Sequence, residues 1–354
     1  MIKFNFIERM HSRKVIVTAA FVIVFLVGIS LGLVINRNWK HNVRPQKHAL
    51  RESGHTYTNP LLDFELAQDL IADQELRLAH DRIEALVKKL KHESMATHIS
   101  VYFRDLNDGP WFGIEEDEEF YPASLLKVPV MIACLKQAEH DPGLLTKPVL
   151  YKAGQDLNRL VAYRPASVIE ANREYTFEEL LYRMIVYSDN NTLDLIMKNL
   201  DSKLAMRTFT DLGLKVPANK PYFISVKGYA SFFRVLFNSS YLNREMSEYA
   251  LEFLANSEFK SGIVASVPPE IPVAHKFGEQ TFDAPEASQQ LHDCGIVYYP
   301  KNPYLLCIMT RGKDFKSLER VIQEISAEIY RQVSSHEQAA LPTGQAGPGA
   351  PISR

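Results

Sequence analysis

A serine and a lysine three residues apart, Ser124 and Lys127, open an apolar run, Val130-Met131-Ile132-Ala133-Cys134-Leu135. On a helix the two would lie one turn apart on one face, with side chains in reach of each other. A serine hydroxyl is a poor nucleophile at neutral pH, but an amine whose pKa is lowered by burial and by a second cation can take its proton. The spacing alone is ordinary, since the chain has a second case in Ser257-Glu258-Phe259-Lys260. Two further groups give the first pair company. Ser188-Asp189-Asn190 begins 64 residues after Ser124, and Lys276-Phe277-Gly278 follows in the last third of the chain. Each also has a plain structural reading, Ser188-Asp189 as a helix cap and Lys276 as a solvated strand residue.

The elements that would carry these groups follow from periodicity. Leu76, Ala79, Ile83, Leu86 and Leu90 keep the spacing of a buried helical stripe, which predicts a helix near 63–92. His98 to Arg104 alternates, with Ile99, Val101 and Phe103 on one face, and Asn107-Asp108-Gly109 turns the chain into a second strand at Trp111-Phe112-Gly113-Ile114. The acidic run 115–119 reads as a solvated loop. From Ser124 to about Val267 the pattern is mainly helical. Thr176-Phe177-Glu178-Glu179 forms a capping box, and further helices are expected at 192–200, 203–212, 226–237 and 244–255. Strands return at 273–279, 294–299 and 304–310, and Leu318, Ile322, Ile325 and Ile329 mark a closing helix. Two strands early, three late and helices between predict an α+β fold of two lobes. It would have a five-stranded antiparallel sheet flanked by the terminal helices, an all-helical lobe, and a cleft between them.

Composition narrows the classes. With 354 residues, 46% apolar and 23% charged, the chain reads as globular, and a net charge of −2 argues against a nucleic-acid binder. None of the three cysteines forms a Cys-x-x-Cys pair, so a zinc or redox motif is not expected. Cys294 and Cys307 could face each other across a hairpin, as thiols or as a disulfide. Residues 15–35 carry no charge and would span about 30 Å as a helix, enough for a bilayer. No Ala-x-Ala site follows, so they read as an uncleaved signal anchor. Lys3, Arg9, Arg13 and Lys14 precede the run and Arg37, Lys40, Arg44 and Lys47 follow it, so charge does not choose an orientation. The expected organisation is a stub and anchor at 1–36, a linker at 37–62, a folded domain at 63–335 and a disordered tail at 336–354.

Ser-x-x-Lys, then Ser-Asp-Asn, then Lys-x-Gly, in this order over roughly residues 75–333, resembles the penicillin-recognising serine enzymes: class A β-lactamases and penicillin-binding proteins. The resemblance implies an acyl-enzyme on Ser124, with Lys127 as base or its helper and Ser188 relaying a proton to the leaving nitrogen. Asn190 would bind the substrate amide. Lys276 would supply positive charge for a substrate carboxylate and hold down the pKa of the lysine pair. The backbone N–H groups of Ser124 and Glu279 would form an oxyanion hole beside Phe277 and Gly278. It implies no metal or organic cofactor, a β-lactam or a cell-wall D-alanyl peptide as substrate, and a catalytic domain outside the cytoplasm. The Ser257 pair has no Ser-x-Asn after it and is the decoy. Two departures stand out. Phe277 replaces the hydroxyl residue that in the family helps bind a carboxylate, and residues 212–224 carry no Asp or Glu to activate a deacylating water. Slow release of the acyl group is expected; a catalytically weak binding or scaffold protein on the same fold is the alternative.

Overall fold

Ile99, Val101 and Phe103 do point to one side of a strand, β1 (His98–Asp105), and are buried there with Ile83, Val87 and Leu90 of helix α1 (Leu70–His92). The computed structural model describes residues 50–51, 56–58, 61–63, 70–107, 109–152, 154–214, 222–282 and 289–340. By contacts the chain divides into residues 1–50 with 63–67, and residues 51–62 with 68–354; all that follows concerns the second unit.

Strand β1 pairs with β2 (Trp111–Ile114) on one side. On the other lie the late strands β3 (Val273–Thr281), β4 (Gln289–Val297) and β5 (Tyr304–Gly312). The order is β2-β1-β5-β4-β3, antiparallel throughout, with β3 on the edge. Helix α1 and the closing helix α8 (Phe315–Ala340) cover one face with Leu318, Val321, Ile322, Ile325 and Ile329. A second core joins the opposite face, through Tyr102, Cys294, Cys307 and Met309, to helices α2 (Lys127–Ala138), α3 (Phe177–Val186), α6 (Val226–Phe237) and α7 (Arg244–Ala255). Between α3 and α6 come α4 (Asn190–Asn199) and α5 (Ser202–Asp211). The two-lobe α+β architecture expected from the element order is therefore the observed one.

The capping box at α3 is complete: Glu179 N–H donates to Thr176 Oγ1 at 3.1 Å and Thr176 N–H to Glu179 Oε2 at 2.7 Å. The sheet runs further than its apolar content suggests. Strand β4 starts at Gln289, not Cys294, because Gln290, His292 and Asp293 are buried with hydrogen-bond partners. Two small ribbons, Glu119–Phe120 with Ile224–Ser225 and Pro148–Tyr151 with Arg173–Thr176, interrupt the helical block. The acidic run is pinned by ion pairs, Glu115 with Lys91 and Glu118 with Arg311. Cys294 and Cys307 are directly opposed in the β4–β5 register, and all three cysteines are free thiols.

Residues 56–58, within the predicted linker, are docked on the domain. The Glu248 carboxylate of α7 accepts the backbone N–H groups of Thr56, Tyr57 and Thr58, and Tyr298 donates to the Tyr57 carbonyl at 2.9 Å. The apolar run at 15–35, most of the linker and residues 341–354 lie outside the described residues, whereas 336–340, expected to belong to a disordered tail, continue the closing helix α8. Among the described residues no helix is long and apolar enough to cross a membrane.

Candidate active site

Ser124 is not on the helix itself. It sits in a 3-10 turn, Ala123–Leu126, that runs into α2 at Lys127. Ala123 enters the turn with φ +48°, and Pro129 falls in the first turn of α2, where its missing N–H leaves no helical bond unmade. The turn is held from three sides. Tyr121 N–H donates to Gln290 Oε1 at 3.2 Å, His292 Nε2 lies 3.1 Å from the Tyr121 carbonyl, and Tyr229 donates to the Leu125 carbonyl at 3.0 Å. Thr310 N–H donates to His292 Nδ1, so the ring proton must be on Nε2, where it serves Tyr121. Burial lowers the His292 pKa to about 4, which keeps the imidazole neutral in this role.

Gly278 sets the distance between the edge strand and the turn. A Cβ there would stand 2.8 Å from the Pro122 carbonyl oxygen and 3.1 Å from Leu125 N. Only a residue without a side chain lets β3 lie so close to the serine's turn. Ser124 and Glu279, whose backbone N–H groups are the expected oxyanion donors, both line the cleft beside this contact.

The lysines converge, but on Ser188 rather than on Ser124. Lys127 Nζ donates to the Ser188 carbonyl at 2.6 Å and to Asn190 Oδ1 at 2.7 Å, and lies 3.1 Å from Ser188 Oγ. From the opposite lobe Lys276 Nζ donates to Ser188 Oγ at 2.9 Å and to the Phe277 carbonyl at 3.1 Å. Ser188 has φ +58°, a conformation that non-glycine residues seldom adopt. The plain reading of Ser188-Asp189 as a cap is also correct, for its second residue: Asp189 caps α4 through Asn191 N–H, and accepts further bonds from Asn158 Nδ2 and Ile169 N–H. The cap and the strained serine are thus one device, with Asp189 locking the backbone that presents Ser188. Lys127 and Lys276 are both fully enclosed. Burial lowers the Lys127 pKa to about 7, and burial with repulsion from Lys127 drives Lys276 well below the ordinary lysine value. Two amines sharing one hydroxyl in a dry site cannot both hold a full charge cheaply.

A cleft of about 310 Å³ opens over these groups, lined by Ser124, Lys127, Ser188, Asn190, Phe277 and Glu279 among others. Lys276 does not line it. Phe277 is 4% exposed, its ring stacked on Phe259 at 4.1 Å and edge-on to Tyr163 at 5.7 Å. The Glu279 side chain fastens a loop across the cleft: its Oε1 accepts Ala162 N–H at 2.6 Å and Tyr163 N–H at 3.0 Å, and Tyr163 in turn donates to Glu319 at 2.8 Å. Burial raises the Glu279 pKa, against the opposing pull of those two N–H groups. Val161, Tyr163, Leu193 and Gln280 join the lining and carry no motif that would have marked them in the sequence. At the decoy, Lys260 Nζ bonds the Ser257 carbonyl, and Ser257 Oγ is buried without a partner. Residues 215–221, the middle of the segment without Asp or Glu, lie outside the described residues. Among the described residues no cluster of metal-ligating side chains is present.

Two buried lysines meeting at one serine hydroxyl, a cleft that Ser124 lines and an edge strand brought close to the serine's turn at a glycine lie together on a sheet-and-helix scaffold. The model of the β-lactamase enzyme family matches residues 79–333, and the chain belongs to that family. Solved structures with the same fold include a mutant of PBP-A as its acyl-enzyme complex with penicillin G, at 19% identity and TM-score 0.60, covering 73% of this chain and 97% of that one. A class A β-lactamase from Mycobacterium abscessus matches at 20% identity and TM-score 0.59, covering 72% and 99%. The TLA-3 extended-spectrum β-lactamase matches at 16% identity and TM-score 0.63, covering 72% and 98%. At these identities the likeness is one of fold.

Proposed function

We propose that the chain is a serine hydrolase that forms an acyl-enzyme on Ser124 with β-lactams or D-alanyl peptides and releases it slowly. The observation that carries this is the pair of buried lysines meeting at Ser188 Oγ on the floor of the cleft that Ser124 lines. In the acylation step Lys127, as the neutral amine, takes the Ser124 proton while Ser124 Oγ bonds to the substrate carbonyl carbon. The oxyanion is held by the Ser124 and Glu279 N–H groups. Collapse breaks the carbonyl–nitrogen bond, and the leaving nitrogen receives the proton through the Ser188 hydroxyl, which touches both amines. The acyl group stays on Ser124. No Asp or Glu stands in residues 212–224 to activate water against it.

A fluorescent penicillin should label the wild type and Ser257→Ala but not Ser124→Ala, and the label should persist for many minutes after excess probe is removed. Equal labelling of Ser124→Ala, or none of the wild type at millimolar probe, would overturn the reading. The second outcome would favour a non-catalytic binding protein, a role supported by the loop that Glu279 fastens over the cleft. The uncharged run at 15–35 supports a single-pass anchor with this domain outside the cytoplasm. Release of the protein from membranes by alkaline carbonate would refute the anchor.

A further inference from the structure

Residues 159–165 cross from the helical lobe to the sheet lobe. The loop is rooted at both ends beside α4: Leu157 N–H donates to Asn191 Oδ1 at 2.9 Å, Asn158 Nδ2 to Asp189 Oδ1 at 2.7 Å, and Ile169 N–H to Asp189 Oδ2 at 3.2 Å. Between these roots the chain stands off the domain, with Leu160 87% exposed. It is caught on the far side at Ala162 and Tyr163, whose N–H groups donate to Glu279 Oε1 on the edge strand. The Tyr163 ring reaches further, into a socket of Phe259, Phe277 and Phe315 with ring centroids 5.1 to 5.7 Å away. Its hydroxyl donates to Glu319 of α8 at 2.8 Å. Phe277, which stands where the resemblance expects a hydroxyl residue, is thereby one wall of the socket.

This clasp is built to open. Its bonds run between the loop and single side chains of the sheet lobe, so lifting residues 159–165 breaks no strand pairing and no helix. Closed, it leaves a cleft of about 310 Å³, near the lower end of the range of about 300–1,000 Å³ for small-molecule sites. A compact acyl donor fits beneath the loop. A bulky one must wait until the loop lifts, so its apparent affinity is reduced by the fraction of molecules that are open. We propose that the 159–165 loop is a size gate on the cleft. Glu319, which does not line the cleft, is a positioning residue that sets how often the gate opens by holding Tyr163. The proposal rests on the acyl-enzyme reading of Ser124 and adds the bulk of acyl donor that the site accepts.

Benzylpenicillin and nafcillin share one nucleus and differ in the bulk of the acyl side chain, a benzyl group against a rigid ethoxynaphthyl group. Their acylation of Ser124 can be followed by intact-protein mass spectrometry, each rate normalised to hydrolysis of the compound in buffer. In the wild type benzylpenicillin should react about tenfold faster or more. Glu319→Ala and Tyr163→Phe each delete the same hydrogen bond to a charged acceptor, which is worth about tenfold in the opening equilibrium. Each should speed nafcillin about tenfold and leave benzylpenicillin within about twofold. The double variant should gain nothing over either single one. A merely structural role for Glu319 would slow both compounds alike. Thermal melting checks that the fold is retained, and Tyr163→Phe, which loses one oxygen, carries the test if Glu319→Ala does not fold. Equal wild-type rates for the two compounds would overturn the proposal alone, and so would an unchanged nafcillin rate in the folded variants. Failure of both compounds to label wild-type Ser124 would instead refute the acyl-enzyme reading, and this proposal with it.

Discussion

If Lys127 is the base that activates Ser124, acylation must follow the fraction of Lys127 that is neutral. Burial sets its pKa at about 7. At that value the neutral fraction is about 90% at pH 8 and about 1% at pH 5, so the acylation rate should fall roughly 90-fold between them, approaching tenfold per pH unit at the acid end. The same shift, from 10.5 to about 7, is on the order of 5 kcal/mol in the balance between the two protonation states. Its sign for stability follows. The folded pKa lies below the unfolded one, so between about 7 and 10.5 the unfolded chain binds more protons, and the unfolding free energy gained from this group rises with pH across that window. Lys127→Met removes the titration. The difference in unfolding free energy between wild type and Lys127→Met should therefore move in favour of the wild type as pH rises from 7 to 9, by up to about 1.4 kcal/mol per unit. Stopped-flow labelling from pH 5 to 8 and urea titrations from pH 7 to 9 test both halves. An acylation rate that is flat from pH 5 to 8, or a Lys127→Met protein that still acylates at the wild-type rate, would refute the role given to this amine.

Two other perturbations probe the frame around the serine. Gly278→Val places a branched side chain where even a Cβ would be 2.8 Å from the Pro122 oxygen and 3.0 Å from Leu125 Cγ. Overpacking should cost about 1–3 kcal/mol in denaturant titrations. Displacement of the turn should slow acylation on the order of a hundredfold; wild-type labelling in this variant would show that the close approach is dispensable. His292 has a folded pKa of about 4, below the ordinary 6.5, so its contribution is complete above pH 6.5 and is lost as pH falls towards 4. The stability advantage of wild type over His292→Gln at pH 7 should shrink by on the order of 3 kcal/mol by pH 4, and an advantage independent of pH would contradict a neutral His292 in the fold.

Much of this was legible from residue patterns, and the gaps have physical causes. Periodicity found α6 and α7 because their apolar faces meet a core along their whole length. It missed the start of β4, since Gln290, His292 and Asp293 are buried by virtue of partners distant in sequence: Tyr121, His275 and Ile263. Motif order brought Ser124, Lys127, Ser188, Asn190 and Lys276 to one region. It did not reveal that Ser188 Oγ, not Ser124 Oγ, is where the lysines meet, nor that Lys276 is enclosed, because spacing along a chain does not encode the depth of a side chain. The helical expectation for Ser124 failed by one turn: the 3-10 geometry is set by the strained Ala123 and the neighbouring edge strand. Tyr163 lies in a loop without periodicity, and its place in the cleft follows from Glu279, on the opposite side.

The cysteines give this molecule built-in reporters of its own opening. Cys134 lies inside the helical lobe, and Cys294 and Cys307 lie mid-sheet in the row that continues to Lys276. Burial raises the pKa of all three thiols. In the native state each is shielded from alkylating reagents twice over, by lack of access and by scarcity of thiolate. The rate at which each is modified under native conditions then measures how often its surroundings come apart. Modification of Cys134 clocks the helical lobe and that of the sheet pair clocks the strands behind Lys276. One unmodified chain can thus show whether the two walls of the cleft open together or separately.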